Sequence, residues 1–180
     1  MVNCDLTMGW DDRTCATSIG GIKKAVPVPI EEIDYDNYTI TSNEVTAMSL
    51  LSGSTGGYEY NLQPNLSSYT APPSRSEGGA VLTNIALNIV LQNDTKALRS
   101  ELMILARKTC VWFVQKSDGT WVCLGLLDGL ILQPDNEGGS GVAKTDRNGY
   151  SLTFVGQEVD EVPDVDETVV DGLIASASSS

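Results

Sequence analysis

Hydrophobic and polar residues alternate at period 2 in parts of this chain, the pattern of strands buried on one face. Leu82, Ile85, Leu87, Ile89 and Leu91 carry a mostly two-residue period through residues 81–91, which predicts a strand. Residues 38–41 and 44–51 are rich in β-branched and aromatic side chains, and residues 57–62 alternate again. Gly53, Gly56 and Gly57 punctuate that stretch, which predicts a hairpin through the glycines. Residues 109–132 predict another, two hydrophobic strands around Asp118-Gly119. Residues 150–155 read as a last strand, fed by an Asn148-Gly149 turn in which both residues need φ > 0. Residues 22–30 have strand composition, but Pro27 and Pro29 cannot donate to a ladder. They predict an edge strand or an extended arm.

The period turns helical once. Asn93, Asp94 and Thr95 offer N-caps, and Leu98, Leu102 and Leu105 recur at helical spacing. Arg107 and Lys108 suit a last turn, so a helix is expected over about 95–108, lying against a sheet. Residues 63–80 have no period. A loop this long either orders on contact with a neighbour or moves freely on the surface. Residues 135–141 predict a flexible loop, and residues 1–21 a polar N-terminal arm. Residues 158–171 hold Glu158, Asp160, Glu161, Asp164, Asp166, Glu167 and Asp171 with no Lys or Arg, so 158–180 reads as an acidic tail, solvated or facing a partner. The expected organisation is a β-sandwich over 22–157, mainly β with one flanking helix.

Composition narrows the function. The net charge is −13, with only 11 Lys and Arg, so specific binding to a phosphate backbone is not expected. A surface that DNA slides past without sticking needs this sign. Asp5, Asp11 and Asp12 interrupt the start of the chain, and no apolar run approaches the about 18 residues of a membrane span. Neither a signal peptide nor a membrane helix is expected, which suggests cytosolic synthesis.

Candidate chemistry is sparse. The chain has no histidine, which removes Ser-His-Asp and Cys-His catalysis and His-ligated zinc. Asp11 with Asp12, and Glu31 with Glu32, are adjacent acids, and neighbours in a strand do not converge on one point. Cys4, Cys15, Cys110 and Cys123 contain no C-x-x-C pair. Cys110 and Cys123 flank the Asp-Gly turn and could face each other, or they are small apolar residues in a reduced core. Residues 146–150 resemble the opening of a calcium loop, but glycine stands fourth instead of sixth and the closing Glu is missing. Residues 52–57 are glycine-rich without the Gly-Lys-Ser/Thr of a phosphate loop. Trp112 and Trp121 lie on facing strands, as a cross-strand pair or a sugar-stacking platform. No catalytic, cofactor-binding or metal-binding residues are expected, and no enzyme.

The passage at residues 88–99, the hairpin with Asp118-Gly119, and residues 146–154 before a proline-bearing tail are similar to tail tube and connector-ring proteins of tailed bacteriophages. More loosely, the chain resembles virion proteins of phages of gut Bacteroidetes. The likeness is one of architecture over roughly residues 22–160. It implies a tail-tube-like, barrel-forming β-sandwich and a homo-oligomer, a ring of six, joined edge to edge around a lumen that passes DNA. It further implies other tail or connector proteins as partners, no cofactor, and a place in the virion after assembly in the host cytoplasm. The alternative is a stand-alone β-sandwich that binds carbohydrate or a surface through Trp112, Trp121, Tyr58 and Tyr60.

Overall fold

The computed structural model describes residues 20–92, 94–134, 136–140 and 148–174. Asp11, Asp12, Cys4, Cys15, Asp146 and most of the expected N-terminal arm lie outside them. The strands are β1 (Ile22–Pro29), β2 (Thr39–Thr41), β3 (Glu44–Ala47), β4 (Tyr60–Asn61), β5 (Ser68–Thr70), β6 (Pro73–Arg75) and β7 (Val81–Gln92), followed by helix α1 (Lys96–Leu105). Then come β8 (Cys110–Lys116), β9 (Trp121–Leu124), β10 (Ile131–Leu132), β11 (Glu137–Gly139), β12 (Gly149–Glu158), β13 (Asp164–Val165) and helix α2 (Glu167–Leu173).

These form two sheets. The larger runs β2-β3-β13-β9-β8-β1-β4. The smaller runs β10-β12-β7-β5, with β11 also on β12 and β6 also on β7. The fold is mainly β, as expected, and neither sheet closes into a barrel within the chain. Ile85, Leu87, Ile89, Leu152 and Phe154 of the smaller sheet pack against Ala25, Trp112, Val114, Val122 and Leu124 of the larger. The other face of the larger sheet buries Val26, Val28, Phe113, Trp121 and Cys123 under Val169, Val170 and Leu173 of α2. That sheet is therefore covered on both faces. Double burial explains why β8 begins with five buried residues in succession, Cys110 to Val114, with no polar alternation.

Several expectations are corrected. The early hairpin joins β2 to β3, not residues 44–51 to 57–62. Its turn is Ser42-Asn43, both at positive φ (53° and 62°), the pair of values a tight two-residue turn demands. Residues 60–61 go instead to the far edge, beside β1. β1 is second from that edge, with β4 covering only Lys24 and Ala25. The prolines are still legible. Ile30 N–H donates to Thr109 on the β8 side, while Leu62 N–H reaches Lys23 on the other. By the two-residue period, the missing donors of Pro27 and Pro29 fall on the side away from β8.

Residues 63–80 do not form a patternless loop. β5 and β6 both pair with the long strand β7, one after the other along its edge. Ser67 Oγ accepts from Val90 N–H (3.1 Å). The expected flexible loop at 135–141 contains β11, paired with the start of β12. Gly149 is not a turn residue. It sits in the ladder opposite Gln92 and Gly139, without a positive φ, where a Cβ would lie 2.1 Å from the Leu91 carbonyl oxygen. Helix α1 starts as predicted, with Thr95 Oγ1 accepting from Leu98 N–H (3.2 Å), but it ends at Leu105, before Arg107 and Lys108.

The largest correction concerns the C-terminal segment. The boundary at 157/158 divides nothing. β13 lies inside the larger sheet, parallel to β3 and antiparallel to β9. α2 is a second helix, capped by Asp166, whose Oδ1 accepts from Thr168 N–H (2.8 Å). Its acids face outward while its valines and Leu173 enter the core.

Candidate functional site

The β8–β9 hairpin decides several candidates by parity. Its turn is closed by Lys116 N–H to Thr120 C=O (2.8 Å), with Gly119 at φ 97° and Asp118 Oδ1 accepting from Thr120 N–H. Those bonds hold the Asp118 carboxyl below the usual carboxylate range. The resulting register puts Trp112 opposite Leu124 and Gln115 opposite Trp121. The two tryptophans therefore lie on opposite faces of the sheet, 1% and 4% exposed, and form neither a cross-strand pair nor a platform for a sugar. Trp112 instead packs on Phe154, with ring centroids 4.6 Å apart.

The cysteines separate in the same way. Cys123 lies opposite Phe113 in the cluster under α2, whereas Cys110 bridges to Leu130 in the cluster between the sheets. They cannot bond across the hairpin. Burial pushes the Cys110 thiol up to about 12 and raises that of Cys123 as well, which leaves no thiolate to act as nucleophile or ligand.

Tyr58 and Tyr60 remain near the surface. With Pro27, Pro29, Ile104 and Glu101 they line a recess of about 200 Å³ along the uncovered half of β1. Tyr58 is exposed, and Tyr60 is half-buried, its hydroxyl pushed up to about 12 by burial and then by Glu101.

A larger cleft, about 540 Å³, opens where β12 ends. Glu158, expected in a solvated tail, is buried here and accepts from Leu127 N–H (2.9 Å) and Asp128 N–H (3.0 Å). Tyr35 donates to Leu126 C=O (2.7 Å), so the turn after β9 is clamped twice. The mouth carries exposed apolar side chains, Ile40 from β2, Leu127 and Val159, beside the exposed acids Asp160 and Glu161. Sequence reasoning missed this cleft, because its parts come from four separate stretches. The one available signal was Glu158 at a buried strand position.

A second exposed apolar surface lies on α1. Met103 and Ile104 are 59% and 54% exposed, while only Leu105 is buried, with Leu102 half-buried beside it. The helix spans basic positions: Lys96 and Arg99 within it, Arg107 and Lys108 just beyond, against Glu101 alone. Arg99 pairs with Asp94 (2.6 Å) and Lys108 with Glu31 (2.7 Å), whereas Lys96 and Arg107 make no ion pair among the described residues.

No group of three or more Cys, Asp or Glu side chains converges on a point among the described residues. No helix among them is long and apolar enough to cross a membrane. No family model, curated protein or solved structure matches the chain.

Proposed function

We propose that the chain is a structural subunit of a bacteriophage virion, forming a ring or tube of the tail or of the head-to-tail connector through which DNA passes. The observation that carries this reading is the pair of open edges on the larger sheet. At one end β2 pairs, among the described residues, only with β3, and all three of its residues are exposed. At the other end β4 covers only two residues of β1. Open edges are templates for another copy, and two different edges on one sheet give a head-to-tail contact. Such contacts close into a ring or run on as a tube. The net charge of −13 supports a wall that DNA passes without binding. The binding-module reading loses its main support with Trp112 and Trp121 buried, and retains only the recess at Tyr58 and Tyr60.

The test is the mass of the purified protein in solution by light scattering, with negative-stain imaging. Rings or tubes of a defined stoichiometry, six under the tail-tube resemblance, are expected. A monodisperse monomer that binds glycans overturns the proposal.

A further inference from the structure

Two exposed apolar surfaces of this chain carry opposite charge. The surface on α1 presents Met103 and Ile104 beside Lys96 and Arg107, cations with no ion pair among the described residues. The cleft at the end of β12 presents Ile40, Leu127 and Val159 beside Asp160 and Glu161. From Glu158 to Glu167 the chain has six acids (Glu158, Asp160, Glu161, Asp164, Asp166, Glu167) and no base. In a chain this acidic, the α1 region is an exception.

The two surfaces lie toward opposite edges of the larger sheet. Ile40 of the cleft is on edge strand β2, whereas Ile104 of α1 lines the recess with Tyr60 of edge strand β4. Six inter-strand steps separate β2 from β4, roughly 29 Å at about 4.8 Å per step. Leu102 and Leu105 hold α1 against its own core, so its outer face cannot enter its own chain's cleft, but that of a second copy can.

We infer that the cleft at the end of β12 is the docking site for α1 of a second copy of this chain. Met103 and Ile104 enter the cleft against Ile40, Leu127 and Val159, and Lys96 and Arg107 meet Asp160 and Glu161 at its rim. The contact uses different surfaces on the two copies, so it is heterologous and propagates until it closes. Apolar residues supply the buried area, and the complementary charges set register and orientation. The acids also repel a second cleft, which disfavours the symmetric pairing of cleft with cleft. This inference rests on the assembly reading above and deepens it by naming the contact.

The experiment compares the full chain with three variants by sedimentation velocity over a concentration series. The first carries Lys96→Glu and Arg107→Glu, the second Asp160→Lys and Glu161→Lys, and the third all four changes. All four positions are exposed, so the fold is retained, as circular dichroism checks. Each double variant should associate more than about tenfold more weakly than the parent, and the fourfold variant should recover most of that loss. Raising the salt from about 0.1 M to about 1 M, which shortens the screening length from about 10 Å to about 3 Å, should weaken the parent's assembly. A parent chain that stays monomeric sinks the assembly reading and this contact with it. Assembly that is indifferent to both double variants, or not recovered in the fourfold variant, sinks the contact alone.

Discussion

Leu173→Ala tests whether the acidic C-terminal segment is part of the fold. Leu173 is fully buried under the larger sheet, in the cluster with Phe113 and Trp121. The substitution removes three carbons, worth about 2.4 kcal/mol at about 0.8 kcal/mol per buried carbon. The cavity left behind adds to this, for a total of about 3–5 kcal/mol. Alanine is the better helix former, so helix propensity works against the loss and cannot cause it. The Leu173 carbonyl accepts from Gly57 N–H (3.0 Å) through the backbone, and this bond is open to either side chain. At an m-value of about 2 kcal/mol/M in urea, the midpoint should fall by about 1.5–2.5 M. That is a large part of the about 5–15 kcal/mol that holds a domain together. Tryptophan fluorescence is a suitable probe, since Trp121 pairs with Val165 of β13 in the same cluster. Asp171→Ala, at an exposed position of the same helix, should stay within about 0.5 kcal/mol of the parent. Equal midpoints for the two variants would refute the placement of α2 in the core.

Glu158→Ala should cost about 1–3 kcal/mol in the same assay, because it strands the N–H groups of Leu127 and Asp128. Glu158→Gln keeps an acceptor oxygen and should recover part of it; a loss as large as that of alanine would show that the charge, not the bond, matters. Gly149→Ala should lower stability by roughly 1–3 kcal/mol, since its Cβ would press on the Leu91 carbonyl at 2.1 Å. An unchanged melting curve would contradict the ladder register at that end of β12. Stability should also fall at high pH. Burial raises Cys110 from its ordinary 9.0 to about 12 and Tyr60 from 10.0 to about 12. Each stays neutral in the folded chain while its unfolded form ionises, so their contribution is full below about pH 9 and lost as pH climbs toward about 12. A denaturation midpoint flat from pH 8 to about 11 would contradict the burial of both groups.

The fold was legible wherever one period governed a long stretch. β7 was read correctly because Leu87 and Ile89 enter the core and Ala86 and Asn88 do not. β8 was legible for a different reason, its unbroken apolar run, which follows from burial on both faces. Short strands escaped. β5 and β6 hold three residues each and have no period of their own; β7 supplies their hydrogen bonds and thereby their structure. β13 and α2 escaped because charge outweighed pattern. Val165, Val169, Val170 and Leu173 fall at core positions, but acids fill the places between them. Counting acids suggested a solvated tail, whereas the spacing of the valines carried the structural signal.

The same lesson holds for the hairpin at the centre of the larger sheet, which carries two tryptophans and two cysteines. Paired residues there have numbers that sum to a constant even number, 112 with 124 and 113 with 123. Two residues share a face only when their separation along the ladder is even. Trp112 and Trp121 differ in parity, as do Cys110 and Cys123, and once the turn was located this alone put each pair on opposite faces. Position relative to the turn was therefore informative, and proximity in sequence was not. The side chains that could act on a partner lie elsewhere, at the edge strand β2, the cleft after β12 and the outer face of α1. Each is exposed among the described residues. For a chain whose core already has two layers of side chains, those surfaces are where a second copy would contribute most.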